Sequence, residues 1–167
     1  MSQKAVICLI VLVACFQISK QCDCMWRYVH VAGEDVDNSV CFGTKFAVAK
    51  VKSSTTIPGQ SGYDEIDGEK RFDVTITKMY TKNGVEKFEK GWETSLFAPM
   101  ASSMCGYIAL KTGKTYYISV YGGDGRLTFN GCSFASTKEE LTDVQRKIIK
   151  GELTCPSTEP IFPDINA

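Results

Sequence analysis

Cysteines constrain this chain more than any other residue type, and the first two of the eight lie apart from the rest. Cys8 and Cys15 belong to an N-terminal segment in which a basic residue, Lys4, precedes the apolar run Ala5–Phe16. That run is too short for a membrane-spanning helix, which needs about 20 apolar residues, but it fits the apolar core of a signal peptide. We therefore expect a secreted protein, and the oxidising compartment that it enters favours disulfides.

The cysteines that follow the signal segment are six in number: Cys22, Cys24, Cys41, Cys105, Cys132 and Cys155. Zinc binding is the alternative role for such residues, but the sequence has no Cys-x-x-Cys pair, and His30 is its single histidine. The pattern therefore predicts three disulfides, although composition alone leaves their pairing open.

The cleavage site decides which residue begins the secreted chain. Gln21 directly precedes Cys22, but it is not the small residue that usually stands before the cut. Cleavage after Ser19 would instead leave Lys20 and Gln21 ahead of Cys22. Loss of residues 1–21 leaves 17 basic and 19 acidic residues, a length and charge that suit one domain without a general attraction to nucleic acid or anionic membranes.

Short segments of alternating apolar and polar residues predict a mainly β domain. The clearest is a hairpin over 71–90, because Asn83-Gly84 between alternating runs favours a tight turn with positive φ. Gly-rich turns separate the remaining segments. Many short strands of this kind are typical of a barrel or a sandwich. The other predicted strands cover 42–51, 94–98, 106–110, 115–121 and 127–133.

Other segments read as irregular or helical. Residues 26–40 show neither helical nor strand periodicity, and residues 53–70 form a predicted long exposed loop. Thr137 and Glu140 have capping-box spacing before a helical apolar stripe that ends at Gly151. A tail over 156–167 completes the expected organisation.

Several patches resemble, in the same order, the inhibitory N-terminal netrin-like domain of the tissue inhibitors of metalloproteinases. The resemblance covers residues 22–155, and no single patch carries it alone. The patches are Cys22-x-Cys24 after the signal segment, Phe46–Lys50 (similar to Val-Ile-Arg-Ala-Lys), Thr77–Tyr80, Ser103–Tyr107 (similar to Ser-Val-Cys-Gly-Tyr), Asp124-Gly125-x-Leu127 with Cys132–Phe134, and Gln145-Arg146.

The resemblance implies a fold and a disulfide pattern. The fold would be a five-stranded barrel of the oligonucleotide/oligosaccharide-binding (OB) type with flanking helices. The pairs would be Cys22–Cys105, Cys24–Cys132 and Cys41–Cys155. It also favours cleavage after Gln21, so that residues 1–21 are the signal peptide and residues 22–155 the inhibitory domain.

The resemblance further implies a secreted, monomeric metalloproteinase inhibitor of the extracellular matrix that is not an enzyme and has no cofactor of its own. In the family, the amino nitrogen and carbonyl oxygen of the N-terminal cysteine, here Cys22, bind the catalytic zinc of the target metalloendopeptidase. Such a zinc keeps an open coordination position for water or substrate. Two strips would contact the enzyme: Asp23, Cys24 and Met25 along the cleft, with Ser102, Ser103 and Met104 beside them.

Asp23 departs from the Thr or Ser that strong matrix metalloproteinase inhibitors of the family commonly carry. An ionised carboxylate entering an apolar specificity pocket is costly to desolvate, which predicts weak matrix metalloproteinase inhibition or a different target. The alternative function is a non-inhibitory extracellular netrin-like binding module, and it gains if the secreted chain begins at Lys20. Enzyme contact by the 53–70 loop is a separate hypothesis.

Overall fold

The structure is a computed structural model, and it describes residues 24, 28–61, 67–101, 105–122 and 125–156. The predicted signal peptide over 1–21 lies outside these residues, as does the predicted tail beyond Pro156. The following description is therefore of the domain between Cys24 and Pro156.

The described residues are mainly β, as the sequence predicts, and include two short helices. The elements in chain order are β1 (Tyr28–Val31), β2 (Glu34–Asp37), α1 (Ser39–Phe42), β3 (Lys45–Ile57), β4 (Glu69–Thr81), β5 (Gly84–Pro99), β6 (Thr115–Ser119), β7 (Leu127–Thr128), β8 (Ala135–Thr137) and α2 (Asp143–Ile149).

Six of the strands form one sheet in the order β7-β5-β4-β3-β6-β8, while β1 and β2 pair separately. All its pairings are antiparallel except the parallel contact of β5 with β7. One isolated antiparallel bridge joins Tyr121, which follows β6, to Thr128 in β7. Because the described strand pairings do not close the sheet, the predicted OB-type barrel is not confirmed.

The predicted hairpin over 71–90 is confirmed and is longer than its sequence signal. The turn itself lies one residue earlier than the predicted Asn83-Gly84: Thr81 pairs with Gly84, so Lys82 and Asn83 form the turn, and of the predicted pair only Gly84 has a positive φ, 123°. β5 then continues through the segment that we predicted as a separate strand over 94–98. A register shift near Thr77 interrupts the pairing of β4 with β5 without ending either strand.

Two apolar cores lie on opposite faces of the sheet. Successive side chains of a strand point to opposite faces, and in β3 Ala47 and Ala49 belong to the first core while Phe46 and Val48 belong to the second. The first core includes Phe72, Val74, Ile76, Leu96, Ile118 and Phe129. The second includes Val31, Val36, Val40, Tyr80, Phe134, Leu141, Val144 and Ile149, and therefore joins both helices and the β1–β2 hairpin to the sheet.

Two of the segments that we predicted as irregular are strands. The predicted 53–70 loop is wrong in its first part, since β3 continues to Ile57 and pairs with β4, which begins at Glu69. The side chains from Lys52 to Thr56 are all exposed, so this arm has no apolar alternation for the sequence to reveal. The irregular reading of 26–40 is also wrong over the β1–β2 hairpin, whose four-residue strands are too short for a clear pattern.

Of the three predicted strands after β5, the one over 115–121 is confirmed as β6 (Thr115–Ser119), and the other two are shorter or absent. Residues 106–110 contain no strand, because Cys105 and Gly106 both adopt left-handed φ values, 68° and 57°, that turn the chain. The predicted strand over 127–133 is reduced to Leu127–Thr128, and the chain turns after Phe129.

Helix α2 begins later than predicted and ends where predicted. Its capping box is Thr142 with Gln145, since the Gln145 amide donates to Thr142 Oγ1 at 3.2 Å and Gln145 Oε1 accepts from the Thr142 amide at 3.0 Å. Glu140 does accept from the Thr137 amide, at 3.1 Å, but that contact closes the turn before the helix. Gly151, with φ of 73°, ends the helix.

The predicted Cys41–Cys155 disulfide is confirmed. Its Cα atoms are 5.7 Å apart, and it joins residues separated by 114 positions. Both cysteines pack against the second core, so the bond fastens α1 to the segment that follows α2. In the described part of the chain, no helix is long and apolar enough to cross a membrane.

Candidate functional site

Of the seven predicted enzyme-contacting residues, Cys24 is the one that the structure describes. The six outside the described residues are Cys22, Asp23, Met25, Ser102, Ser103 and Met104. The described residues that flank them, Cys24 on one side and Ala101 and Cys105 on the other, show how the two strips are anchored.

The first anchor is the disulfide between Cys24 and Cys132, which confirms a second predicted pair. Its Cα atoms are 5.4 Å apart, and it joins residues separated by 108 positions. Cys24 is exposed and Cys132 is half-buried. The bond therefore fastens the beginning of the described chain to the turn that follows β7.

The sulfur of Cys105 lies beside the Cys24–Cys132 disulfide. The Sγ atoms of Cys24, Cys105 and Cys132 all lie within 4.8 Å of one another. This brings Cys24, a residue of the first predicted strip, close to Cys105, which directly follows the second, although the two cysteines are about 80 residues apart in sequence. Cys105 is itself disulfide-bonded, but the predicted partner, Cys22, lies outside the described residues, so the Cys22–Cys105 pair stays a prediction.

Three neighbouring sulfurs could suggest a metal site, yet the bonding state of these cysteines argues against one. A cysteine binds zinc as a thiolate, whereas Cys24, Cys105 and Cys132 are all disulfide-bonded. His30, the single histidine, lies on the exposed β1–β2 hairpin, where its Nδ1 is 3.0 Å from Asp35 Oδ1. The cysteine cluster is therefore a covalent anchor.

The backbone around Cys105 is closed by two hydrogen bonds. The Gly106 amide donates to the Ala101 carbonyl at 2.9 Å, and the Gly131 amide donates to the Gly106 carbonyl at 3.1 Å. Ala101, the residue before the 102–104 strip, is buried and therefore held in place. A non-glycine residue with positive φ, such as Cys105 at 68°, persists where its surroundings determine its conformation. The residues that flank the 102–104 strip, Ala101 and Cys105, are consequently fixed.

Gly131 makes room for this arrangement. A Cβ placed on Gly131 would lie 2.0 Å from the Cys105 carbonyl oxygen. Because that oxygen belongs to the backbone, it cannot move aside as a flexible side chain could. The Asn130-Gly131 pair therefore allows the turn that carries Cys132 to approach Cys105 closely.

Polar side chains hold the Cys132 turn in shape. The Asn130 amide donates to Ser133 Oγ at 3.0 Å, and Asn130 Oδ1 accepts from the Cys132 amide at 3.0 Å. The Tyr121 hydroxyl lies 2.6 Å from the same Ser133 Oγ. We did not identify Asn130, Ser133 or Tyr121 from the sequence as supporting residues; the Asn-Gly turn signal at 130–131 was the available indication.

An aromatic residue of the first core, Phe72, contacts Phe129 and also Tyr107, which lies near Cys105 in sequence. The ring of Phe72 lies 5.6 Å from that of Phe129 and 6.2 Å from that of Tyr107, measured between centroids. Phe72 and Phe129 are fully buried, whereas Tyr107, two residues after Cys105, keeps 37% of its surface exposed. Tyr107 is therefore an aromatic surface that borders the site.

The loop between β3 and β4 is closed by one carboxylate. Asp67 accepts hydrogen bonds from the Ser61 hydroxyl at 2.7 Å and from the Ser61 amide at 2.8 Å. These bonds, the side-chain one first, hold the pKa of Asp67 below its ordinary value. Gly68 then accepts from the Met100 amide at 2.9 Å, which places the end of this loop beside the start of the second strip.

Comparison with known proteins identifies the relationship. The family model described as "Tissue inhibitor of metalloproteinase" matches residues 20–155, which include both described disulfides and Cys105. A search of curated proteins found no match.

The close approach at Gly131 leads to a prediction. We expect Gly131→Ala to lower the free energy of unfolding by about 2 to 4 kcal/mol, because the new methyl group meets a backbone oxygen and forces the two turns apart. Chemical denaturation of the secreted protein measures the change.

Gly113→Ala is the matched control for that experiment. Gly113 has a φ of 83° and open space around its missing Cβ, so the substitution costs only the left-handed conformation, about 1 to 2 kcal/mol. Equal losses of unfolding free energy in the two variants would show that the close approach of Gly131 to the Cys105 carbonyl oxygen does not limit the residue at position 131.

Proposed function

Because the chain belongs to the tissue inhibitor of metalloproteinase family, we propose that it is a secreted inhibitor of a zinc metalloendopeptidase and not itself an enzyme. The family match supports this function in general terms. The observation that carries the proposal is the position of Cys24 within the matched region, since its sulfur lies within 4.8 Å of that of Cys105. In the proposed mechanism both predicted contact strips would meet the enzyme beside these two cysteines.

We further propose that the inhibitory group is the N-terminal backbone of Cys22. An α-amino group with a pKa near 8 loses its proton readily when a metal competes for its lone pair. Its nitrogen and the Cys22 carbonyl oxygen would occupy the open position on the enzyme's zinc, where water otherwise binds. The Cys22 thiol would take no part, because the predicted bond to Cys105 would occupy it.

Anchoring explains why a short terminal segment can inhibit. Binding an unanchored segment costs about 0.5 to 1.5 kcal/mol for each side chain that becomes ordered. The Cys24–Cys132 disulfide and the closed turn at Gly106 reduce this cost, since they fix the chain on both sides of the proposed contact. The five-stranded OB-type barrel of the family remains part of this proposal.

Extending the N-terminus tests the chelating group. N-terminal sequencing of the secreted protein should begin at Cys22, and one alanine added ahead of it should abolish zinc-dependent inhibition, because the amine becomes an amide. An alanine added after Ala167 is the control and should inhibit normally.

Two results would contradict chelation by Cys22. One is undiminished inhibition by the N-terminally extended protein. The other is a secreted chain that begins at Lys20, which would favour the alternative function, a non-inhibitory extracellular netrin-like binding module.

The two described disulfides allow a matched comparison. Their loops, with separations of 108 and 114 residues, are nearly equal, so the chain-entropy model assigns each about 4 to 5 kcal/mol. We expect paired Cys24→Ser and Cys132→Ser substitutions to weaken inhibition at least tenfold more than paired Cys41→Ser and Cys155→Ser substitutions. Inhibition constants are measured at a temperature at which circular dichroism shows both variants folded. Equal weakening would mean that the Cys24–Cys132 bond contributes stability alone.

Asp23 provides a test of target choice. We expect Asp23→Thr to tighten inhibition of a matrix metalloproteinase at least tenfold, because it removes a carboxylate that is costly to desolvate in an apolar pocket. Asp23→Asn, which removes the charge but keeps a polar side chain, should give a smaller gain. If neither variant binds any matrix metalloproteinase more tightly, Asp23 does not limit the choice of enzyme.

A further inference from the structure

Arg126, the residue before β7, contacts two other strands of the sheet. Its Nη2 donates to both carboxylate oxygens of Glu69, at 2.5 and 2.6 Å. Its guanidinium carbon also lies 4.1 Å from the centroid of the Phe97 ring. A cation above an aromatic ring is attracted to the negative face of the ring, so the arginine is held from two directions.

These contacts lie close to Met100 and Ala101, the residues that precede the second contact strip. Glu69 begins β4. The carbonyl oxygen of Gly68, the residue before it, accepts a hydrogen bond from the Met100 amide at 2.9 Å. Phe97 pairs with Thr128 in β7 and lies three residues before Met100. Arg126 therefore connects the end of the β3–β4 loop, the end of β5 and the start of β7, where the chain enters the strip that follows Ala101.

We propose that Arg126 is a positioning residue for the inhibitory surface: through Glu69 and Phe97 it holds the Met100–Ala101 segment in the conformation that presents the second strip to the enzyme. This inference rests on the proposed inhibitory function. Arg126 acts through its neighbours and makes no contact with zinc in this scheme.

The energetics favour an effect on binding over one on overall stability. A half-exposed ion pair contributes little to the folding of a domain, and Arg126 and Glu69 keep 51% and 37% of their side-chain surfaces exposed. The end of a strand can open locally without unfolding the core. Enzyme binding would then have to order the loosened segment again, which weakens the complex.

The test uses a double-mutant cycle in the secreted protein. Arg126→Ala and Glu69→Ala should each raise the inhibition constant about tenfold, mainly through faster dissociation. The double variant should be no weaker than Arg126→Ala alone, because loss of the arginine already removes the ion pair that Glu69→Ala removes. Arg126→Lys, which keeps a donor for Glu69, should recover most of the loss.

Lys52→Ala is the matched control. Lys52 forms a 2.5 Å ion pair with Glu93 on the same sheet, and their side chains are 52% and 60% exposed, but neither residue bonds to Gly68 or Met100. We expect wild-type inhibition from this variant. The thermal midpoints of the Lys52→Ala and Arg126→Ala variants should agree, which separates positioning from a general loss of stability.

Amide hydrogen exchange gives a readout that does not depend on inhibition. The Met100 amide should exchange at least severalfold faster in Arg126→Ala than in Lys52→Ala, because loss of the Glu69 contact loosens Gly68, the hydrogen-bond acceptor of this amide. Unchanged exchange at Met100, wild-type inhibition by Arg126→Ala, or additive losses in the double variant would each overturn the proposal. Failure of the unmodified protein to inhibit any metalloproteinase would instead count against the proposed function.

Discussion

The Cys24–Cys132 disulfide determines where the residue ahead of the first described strand lies. Cys24 precedes β1 and belongs to no described strand, so no strand pairing holds it in place. A covalent bond to a residue 108 positions later supplies that constraint. Because the Cys132 turn is braced by Asn130 and Ser133, the bond fixes Cys24 to a rigid part of the domain beside Cys105.

The two described disulfides fasten different parts of the domain. Cys41–Cys155 packs against the second core and fastens the helical side of the sheet. Cys24–Cys132 lies beside the Cys105 turn, to which the Gly131 amide is bonded through the Gly106 carbonyl. In the proposed mechanism the first bond keeps the domain folded, while the second orders the surface that meets the enzyme.

The sequence predicted those features that depend on local chemistry. Asn83-Gly84 identified the central hairpin and Gly151 the end of α2, since both rest on residues that accept positive φ. Features set by distant neighbours were missed. The arm of β3 beyond Val51 is exposed on both faces and carries no apolar alternation, and α2 is capped by Thr142 because the Thr137 turn packs ahead of it.

For the site as well, features with a local sequence signal could be predicted, whereas features that depend on distant residues could not. The spacing of the cysteines indicated disulfides, but their pairing came from resemblance, and two pairs are confirmed. Supporting residues such as Tyr121 and Arg126 have no signal of their own, because their partners lie in other strands. X-ray absorption at the zinc edge of the inhibited metalloproteinase tests the central claim most directly. Chelation by the Cys22 backbone predicts an added nitrogen and oxygen shell near 2.0 to 2.2 Å, whereas a sulfur shell near 2.3 Å, or a spectrum unchanged from that of the enzyme alone, would contradict it.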